Sequence, residues 1–377
     1  MGAAMAVINY NQSRVKQFRR CQKQYSFRYD YAARYGGRPR QEMVPRRKKL
    51  PLYRGSWMHA LQQALHYQWA GVPEFSIKFG PNTYDVSSWK ELQEDLAAEF
   101  EALFDEEKED LGDLDDECER LFKSYLRFWK NDRDRYNVVI IDKKPVIEQI
   151  ISADIPGLRG ARFKGMIDLL VEDLEYGGLW IWDAKWVRQI PAPDERMMSP
   201  QALMYVWALR RKGLDIRGFV FNYGRTKAPT IPYTLQRNSS RGPAGSVTRR
   251  KKLDTDLYTY LQAIKEAHGD EWKLWVDFYR EKIDDLKGRE QLWFRRERIP
   301  VEDSRIDRGL KEYISTIQDI QSRSKVPPRS YFYNCKFSCD YHDLCCAEFQ
   351  GLDVTPLIQA NYEFEGERYG KEDLLDA

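Results

Sequence analysis

The sequence predicts an α/β chain in which a mixed central sheet is flanked by helices and carries helical insertions. Two patterns carry this expectation. Apolar, β-rich segments separated by turn residues begin near residue 137, and an amphipathic helix followed by another strand comes directly after them. A third feature, cysteines gathered near both ends of the chain, suggests that the two ends meet.

The strands read as follows. "NVVIIDKKPVIEQIISADI" gives two, broken at Lys143–Pro145. "GARFKGMIDLLVEDL" and "LWIWDAKWV" give two more, and Gly177–Gly178 marks the turn between them. "PQALMYVWALRRKG" from Pro200 is a helix closed by Gly213, and "IRGFVFNYGRT" is the next strand. Before this core, residues 12–35 read as one helix with Ser13 as its N-cap, and residues 55–70 as a second. Residues 86–131 carry long helical periodicity with an acidic outer face, the pattern of an insertion covering the core. After the core, 236–252 reads as a flexible basic stretch, 253–325 as mostly helical, 326–346 as the cysteine cluster and the tail beyond about 352 as poorly ordered. The expected divisions are 1–136, 137–235, 236–351 and 352–377.

Composition bounds the function. The 377 residues, 42 % apolar, suffice for a sizeable core in one large domain or two. No apolar run reaches the roughly 20 residues that span a bilayer, and the start of the chain lacks the basic and apolar regions of a signal peptide. A reducing cytoplasmic setting is the expectation, and six cysteines are too few for a disulfide scaffold, so clustered ones read as ligands. The net charge is only +3, and the basic stretches at 36–54 and 237–252 suit phosphate contact and plain solvated loops alike. No phosphate-binding glycine loop is present, which argues against ATP-driven unwinding.

The chemistry concentrates in "GMIDLL" and "WDAKW". On a strand Asp183 and Lys185 project from one face, so the carboxylate can ligate a cation while the ammonium sits beside an attacking water or a phosphate. Ala184 faces away but keeps its carbonyl available. Asp168 lies in an apolar run, where an unpaired carboxylate is costly, and the glycine turn makes its strand the neighbour of "WDAKW". Two such acids can share a cation, and hard oxygen donors favour Mg²⁺ or Mn²⁺. Taken alone, an Asp-x-Lys strand is an edge ion pair and Asp168 a carboxylate held by backbone amides. His59, on the 55–70 helix, is by spacing alone an ordinary helical histidine, although an imidazole ligand would shift preference toward Mn²⁺. Gln201 and Tyr205 share a face at i and i+4, which ordinary packing also explains.

Cys335, Cys339 and Cys345 form a compact run with Cys346 adjacent, and Cys21 in a basic segment is the fourth thiolate that a four-coordinate site needs; Cys118 is a poorer donor. The same ligands suit zinc, and His342 allows a three-cysteine, one-histidine zinc site.

Together, in this order, these residues resemble the PD-(D/E)XK nuclease superfamily in its RecB-like branch with an iron–sulfur staple. That branch includes CRISPR-associated adaptation exonucleases, the nuclease domain of AddB-type helicase–nucleases and many phage-encoded exonucleases. The resemblance implies a restriction-endonuclease-like sheet with an iron–sulfur-stapled subdomain joining the two ends. It implies a [4Fe–4S] cluster on Cys21, Cys335, Cys339 and Cys345, and a cation held by His59, Asp168, Asp183 and the Ala184 carbonyl. It makes Lys185 the catalytic lysine, sets Gln201 and Tyr205 against DNA, and matches Glu148 to a position acidic in some relatives. Two departures stand out: the first cysteine gap holds three residues, where many relatives have two, and Asp183 replaces a more usual glutamate. The expected activity is metal-dependent exonucleolytic hydrolysis of single-stranded DNA or DNA ends in recombination, repair or genome processing. The expected partners are DNA and recombination or replication proteins, without a membrane; an oligomer stays open. The alternatives are a non-catalytic, metal-stapled DNA-binding subunit and a zinc-stabilised regulator in which "WDAKW" is an edge strand.

Overall fold

The computed structural model describes residues 7–366 apart from 36, 38–40, 47–49, 104–110, 193–198 and 333. Parts of the basic stretch 36–54 and of the acidic stretch 91–120, and the last residues of the acidic tail, lie outside the described residues. In chain order, β1 (Ile8–Tyr10) precedes α1 (Gln12–Arg20) and α2 (Gln22–Asp30), and β2 (Glu42–Pro45) precedes α3 (Leu50–Trp69). The hairpin of β3 (Phe75–Phe79) and β4 (Asn82–Val86) is followed by α4 (Trp89–Glu101) and α5 (Leu114–Phe128). Next come β5 (Tyr136–Val138), the short β6 (Ile140–Ile141) and β7 (Lys144–Pro145), β8 (Ile147–Asp154), β9 (Ala161–Asp173) and β10 (Leu179–Val187). Then α6 (Pro200–Arg211), β11 (Ile216–Arg225), α7 (Leu257–His268), α8 (Val276–Gly288), β12 (Phe294–Pro300) and α9 (Asp303–Gln321) follow. The chain closes with α10 (Cys335–Ser338), α11 (His342–Phe349), α12 (Thr355–Asn361) and β13 (Tyr362–Glu365).

The central sheet runs β1-β9-β10-β11-β12, with β5 and β8 also paired to β9. It is mixed: β10 is antiparallel to β9 but parallel to β11. The first pairing follows from Gly177 and Gly178, whose positive φ values of 72° and 77° turn the chain back after β9. The second requires a crossover, which α6 supplies. Pro200 opens that helix, and every residue from Ala202 to Leu209 is buried. The helix lies against the sheet and α9, where Phe163, Val206, Phe219 and Tyr313 share one core. A second core, around Trp57, Leu61, Leu96 and Phe122, joins α3 to the β3–β4 hairpin, α4 and α5.

Several expectations need correction. The segment 12–35 is two helices broken at Cys21, whose extended backbone (φ −161°) ends one helix and caps the next. Within 86–131 the described residues form α4 and α5, in line with the helical periodicity, but they follow a hairpin the sequence reading missed. The sheet also crosses the expected divisions: β1 pairs parallel with β9, and β12, inside the stretch read as helical, pairs with β11. Strand β12 (FRRERIP) hides its character because charges occupy its centre, where Arg296 is held by Asp132 and stacks on Trp129 and Trp182. Within 236–252, Ser246, Val247 and Thr248 are buried while residues 236–241 and 250–252 are exposed. Residues 355–365 are ordered into α12 and β13, because Val354, Ile358 and Tyr362 bury against Phe27, Met43 and Tyr341. Strand β10 runs between β9 and β11, paired to β9 as far as Trp182 and to β11 along its whole length. Among the described residues no helix is long and apolar enough to cross a membrane.

Candidate active site

The site forms where β9 and β10 part. Their register ends at Trp182↔Leu169, so Asp183 and Asp168 are the next two residues along the diverging strands. The Ala184 amide donates to Asp168 Oδ2 at 2.7 Å, a side-chain bond where the ladder would otherwise continue. On the other edge of β9 the register Ile147↔Leu169 and Gln149↔Ile167 sets Glu148 opposite Asp168. Glu148 has a left-handed backbone, φ 50°, which is unusual for a residue with a side chain. This local twist accompanies a carboxylate that meets His59 from α3 at 2.6 Å. His59 Nδ1 lies 3.8 Å from Asp168 Oδ2, so the imidazole bridges the two acids.

Asp183 has its own partners. Lys185 Nζ approaches its Oδ2 at 2.5 Å, and Gln201 Nε2 donates to its Oδ1 at 2.6 Å. Asp183 is 4 % exposed, whereas the Lys185 side chain is 30 % exposed at the mouth of the site. Among the described residues, His59, Glu148 and Asp168 form the one group of three potential ligands whose donor atoms all lie within 4.8 Å of one another. Asp183 is adjacent to this trio but outside it. His59 and Glu148 of the trio, with Ala184 and Lys185, line a pocket of about 530 Å³.

Electrostatics follow from burial and crowding. Burial raises the Asp168 carboxyl, with Glu148 adding to it and His59 opposing. Burial likewise pushes Asp183 up to about 6 against the pull of Lys185. Burial alone would lower His59, but Glu148 and Asp168 outweigh it and push the imidazole up to about 10. Carboxylates this crowded favour a positive charge among them. A set of two carboxylate oxygens and one imidazole nitrogen, with a third acid beside it, suits a hard divalent cation and tolerates Mn²⁺ well.

The structure therefore brings His59, Glu148, Asp168, Asp183, Ala184, Lys185 and Gln201 to one place. Tyr205 sits one helical turn below Gln201 and is only 7 % exposed. Its ring passes so close to Gly165 that a β-carbon there would lie 2.9 Å from both its Cζ and its hydroxyl. Glu148 gains the most from the structure. The sequence offered only its place on the strand before "GMIDLL", whereas its left-handed backbone was not visible there.

The distant cysteines also converge. Cys21, Cys335, Cys339 and Cys345 line one cavity of about 100 Å³, which Cys346 and His342 also border. The amides of Gln24 and Ser330 each point to Cys21 Sγ at 3.5 Å, and Arg329 Nε lies 3.4 Å from Cys345 Sγ. Cys118 is buried in the helical core instead. The cysteine sulfurs do not form a group of three within 4.8 Å.

Acidic side chains and a lysine on neighbouring strands of a mixed sheet, with a helix glutamine behind them, define a class of metal-dependent nuclease sites. The family comparison agrees: residues 9–346 match the PD-(D/E)XK nuclease superfamily, and the chain belongs to it. No curated protein matches the chain in a sequence search.

Proposed function

We propose that the protein is a metal-dependent exonuclease of the RecB-like, iron–sulfur branch, acting on single-stranded DNA or DNA ends in recombination, repair or genome processing. The observation that carries this is the meeting of the His59–Glu148–Asp168 trio with the Asp183–Lys185 pair beside a pocket that His59, Glu148 and Lys185 line. The trio would hold the cation, with Asp183 and the Ala184 carbonyl at its side. A bound divalent cation supplies a water of lowered pKa and neutralises charge that develops on the phosphoryl oxygens. Lys185 brings an ammonium to the pocket, where it orients the attacking water and balances negative charge on the phosphate. Gln201 holds Asp183 in place through Oδ1, leaving Oδ2 to Lys185. In this reading Tyr205 positions the helix that faces the strand.

In this reading Cys21, Cys335, Cys339 and Cys345, which line one cavity, hold a [4Fe–4S] cluster, with zinc as the alternative. The Arg329 guanidinium lies against Cys345 and opposes the burial that raises this thiol. The role of the cluster in this reading is structural.

The deciding experiment is time-resolved digestion of circular, linear, 5′-blocked and 3′-blocked strands with Mg²⁺ and with Mn²⁺. The proposal expects metal-dependent loss of the linear strand, abolished by Lys185→Ala. Binding without cleavage by the wild-type protein under every metal condition would instead support the non-catalytic DNA-binding subunit.

A further inference from the structure

The β3–β4 hairpin lies in the insertion rather than in the sheet that carries the acids, yet it reaches the same pocket. Its first strand alternates strictly: Phe75, Ile77 and Phe79 are buried, Ser76 and Lys78 are exposed. The three buried residues anchor the hairpin on the core of α3, the helix that also carries His59. Lys78, Phe79 and Gly80 at its tip then line the pocket opened by His59, Glu148, Ala184 and Lys185. Gly80 turns with φ 59°, and a β-carbon there would meet nothing within 4 Å, so the tip offers open backbone to a ligand.

The charges in the pocket are not equivalent. Lys185 is paired with Asp183, and His59 with Glu148. Asp85, on the outward face of the hairpin, accepts from Ser76 Oγ at 2.5 Å. Among the described residues Lys78 has no carboxylate partner, so its ammonium is available to an anion in the pocket. A pocket of about 530 Å³ is also larger than one scissile phosphate needs.

Resting on the nuclease reading, we propose that Lys78 binds a non-scissile phosphate of the substrate strand and that the 75–86 hairpin forms the outer wall of the strand channel. Lys78 is a positioning residue: it holds the backbone in register with Lys185 and touches no reacting atom. A flexible ammonium on an anchored strand suits this task, because phosphate contacts set register without reading sequence.

The test uses the full-length protein and Lys78→Ala, Lys78→Glu and Lys78→Arg. Binding of a fluorescein-labelled oligothymidylate is followed by anisotropy in EDTA across a salt series, and hydrolysis of the same strand is followed with Mn²⁺. Lys78→Ala is expected to weaken binding about fivefold to tenfold at low salt. It should also flatten the slope of log Kd against log salt by about 0.7, the loss of one phosphate contact to a single strand. KM should rise more than kcat falls, Lys78→Glu should be worse, and Lys78→Arg should recover most of the loss. An unchanged salt slope in Lys78→Ala, with cleavage still abolished by Lys185→Ala, overturns the role of Lys78 and leaves the nuclease reading intact. A wild-type protein that neither binds nor degrades the strand overturns both.

Discussion

Gln201, in the first turn of its helix, donates its side-chain amide to Asp183 at 2.6 Å, so the crossover helix reaches back to the strand it follows and fixes an acid of the site. A hydrogen bond to a buried carboxylate contributes about 1.5–3 kcal/mol. Gln201→Ala should therefore lower the nucleolytic rate about tenfold or more while leaving the fold intact. Rate measurements with Mn²⁺, alongside circular dichroism, check this; an unaltered rate refutes the positioning role.

Glu148→Gln removes one acid of the trio and His59→Ala its only nitrogen. Each should weaken Mn²⁺ binding about 10- to 100-fold. Titration calorimetry on the protein without DNA measures it directly. If Asp168→Asn alone weakens the metal, the trio is not the ligand set.

Gly165 is the seat of the Tyr205 ring. Gly165→Ala forces a β-carbon to within 2.9 Å of that ring, an overpacking that costs about 1–3 kcal/mol. The melting temperature should fall, and activity should fall with it through displacement of Gln201 one turn away. A variant as stable as the wild type would show that the ring moves aside freely.

His66, buried beside Trp182, has its imidazole lowered to about 3, by burial first and then by His59 and Arg296. The unfolded chain protonates near 6.5, so it binds the proton first as pH falls. The contribution of neutral His66 is complete above about pH 6.5 and is lost progressively toward 3, amounting to roughly 2 kcal/mol at about pH 5. Denaturant unfolding at several pH values should show this acid slope, and His66→Gln should flatten it. An unflattened slope would assign the loss to other groups.

The proposed cluster predicts a visible absorbance band in anaerobically purified protein that Cys21→Ser removes and Cys118→Ser leaves unchanged. Retention of the colour in Cys21→Ser would exclude that residue as a ligand.

Much of this was legible in the sequence. Strands β8 to β10, the glycine turn and the α6 crossover announce themselves through local periodicity and turn chemistry, and they bring Asp168, Asp183, Lys185 and Gln201 together. What stayed hidden is non-local. Strand β1 is three residues that matter only because β9 accepts them, and β12 reads as charged because Arg296 finds Asp132 and two indoles far along the chain. Glu148 depends on a backbone twist that no side-chain pattern encodes. The 75–86 hairpin alternates clearly, but helical segments on both sides obscured it.

Strands β2 and β13 pair antiparallel, Tyr362 with Pro45 through Glu365 with Glu42, beside an apolar cluster that includes residues of α2. A late strand of the sequence is thereby tied to an early one by amide and hydrocarbon, so truncation before Tyr362 would uncover the apolar face that Phe27, Tyr31 and Met43 present to it.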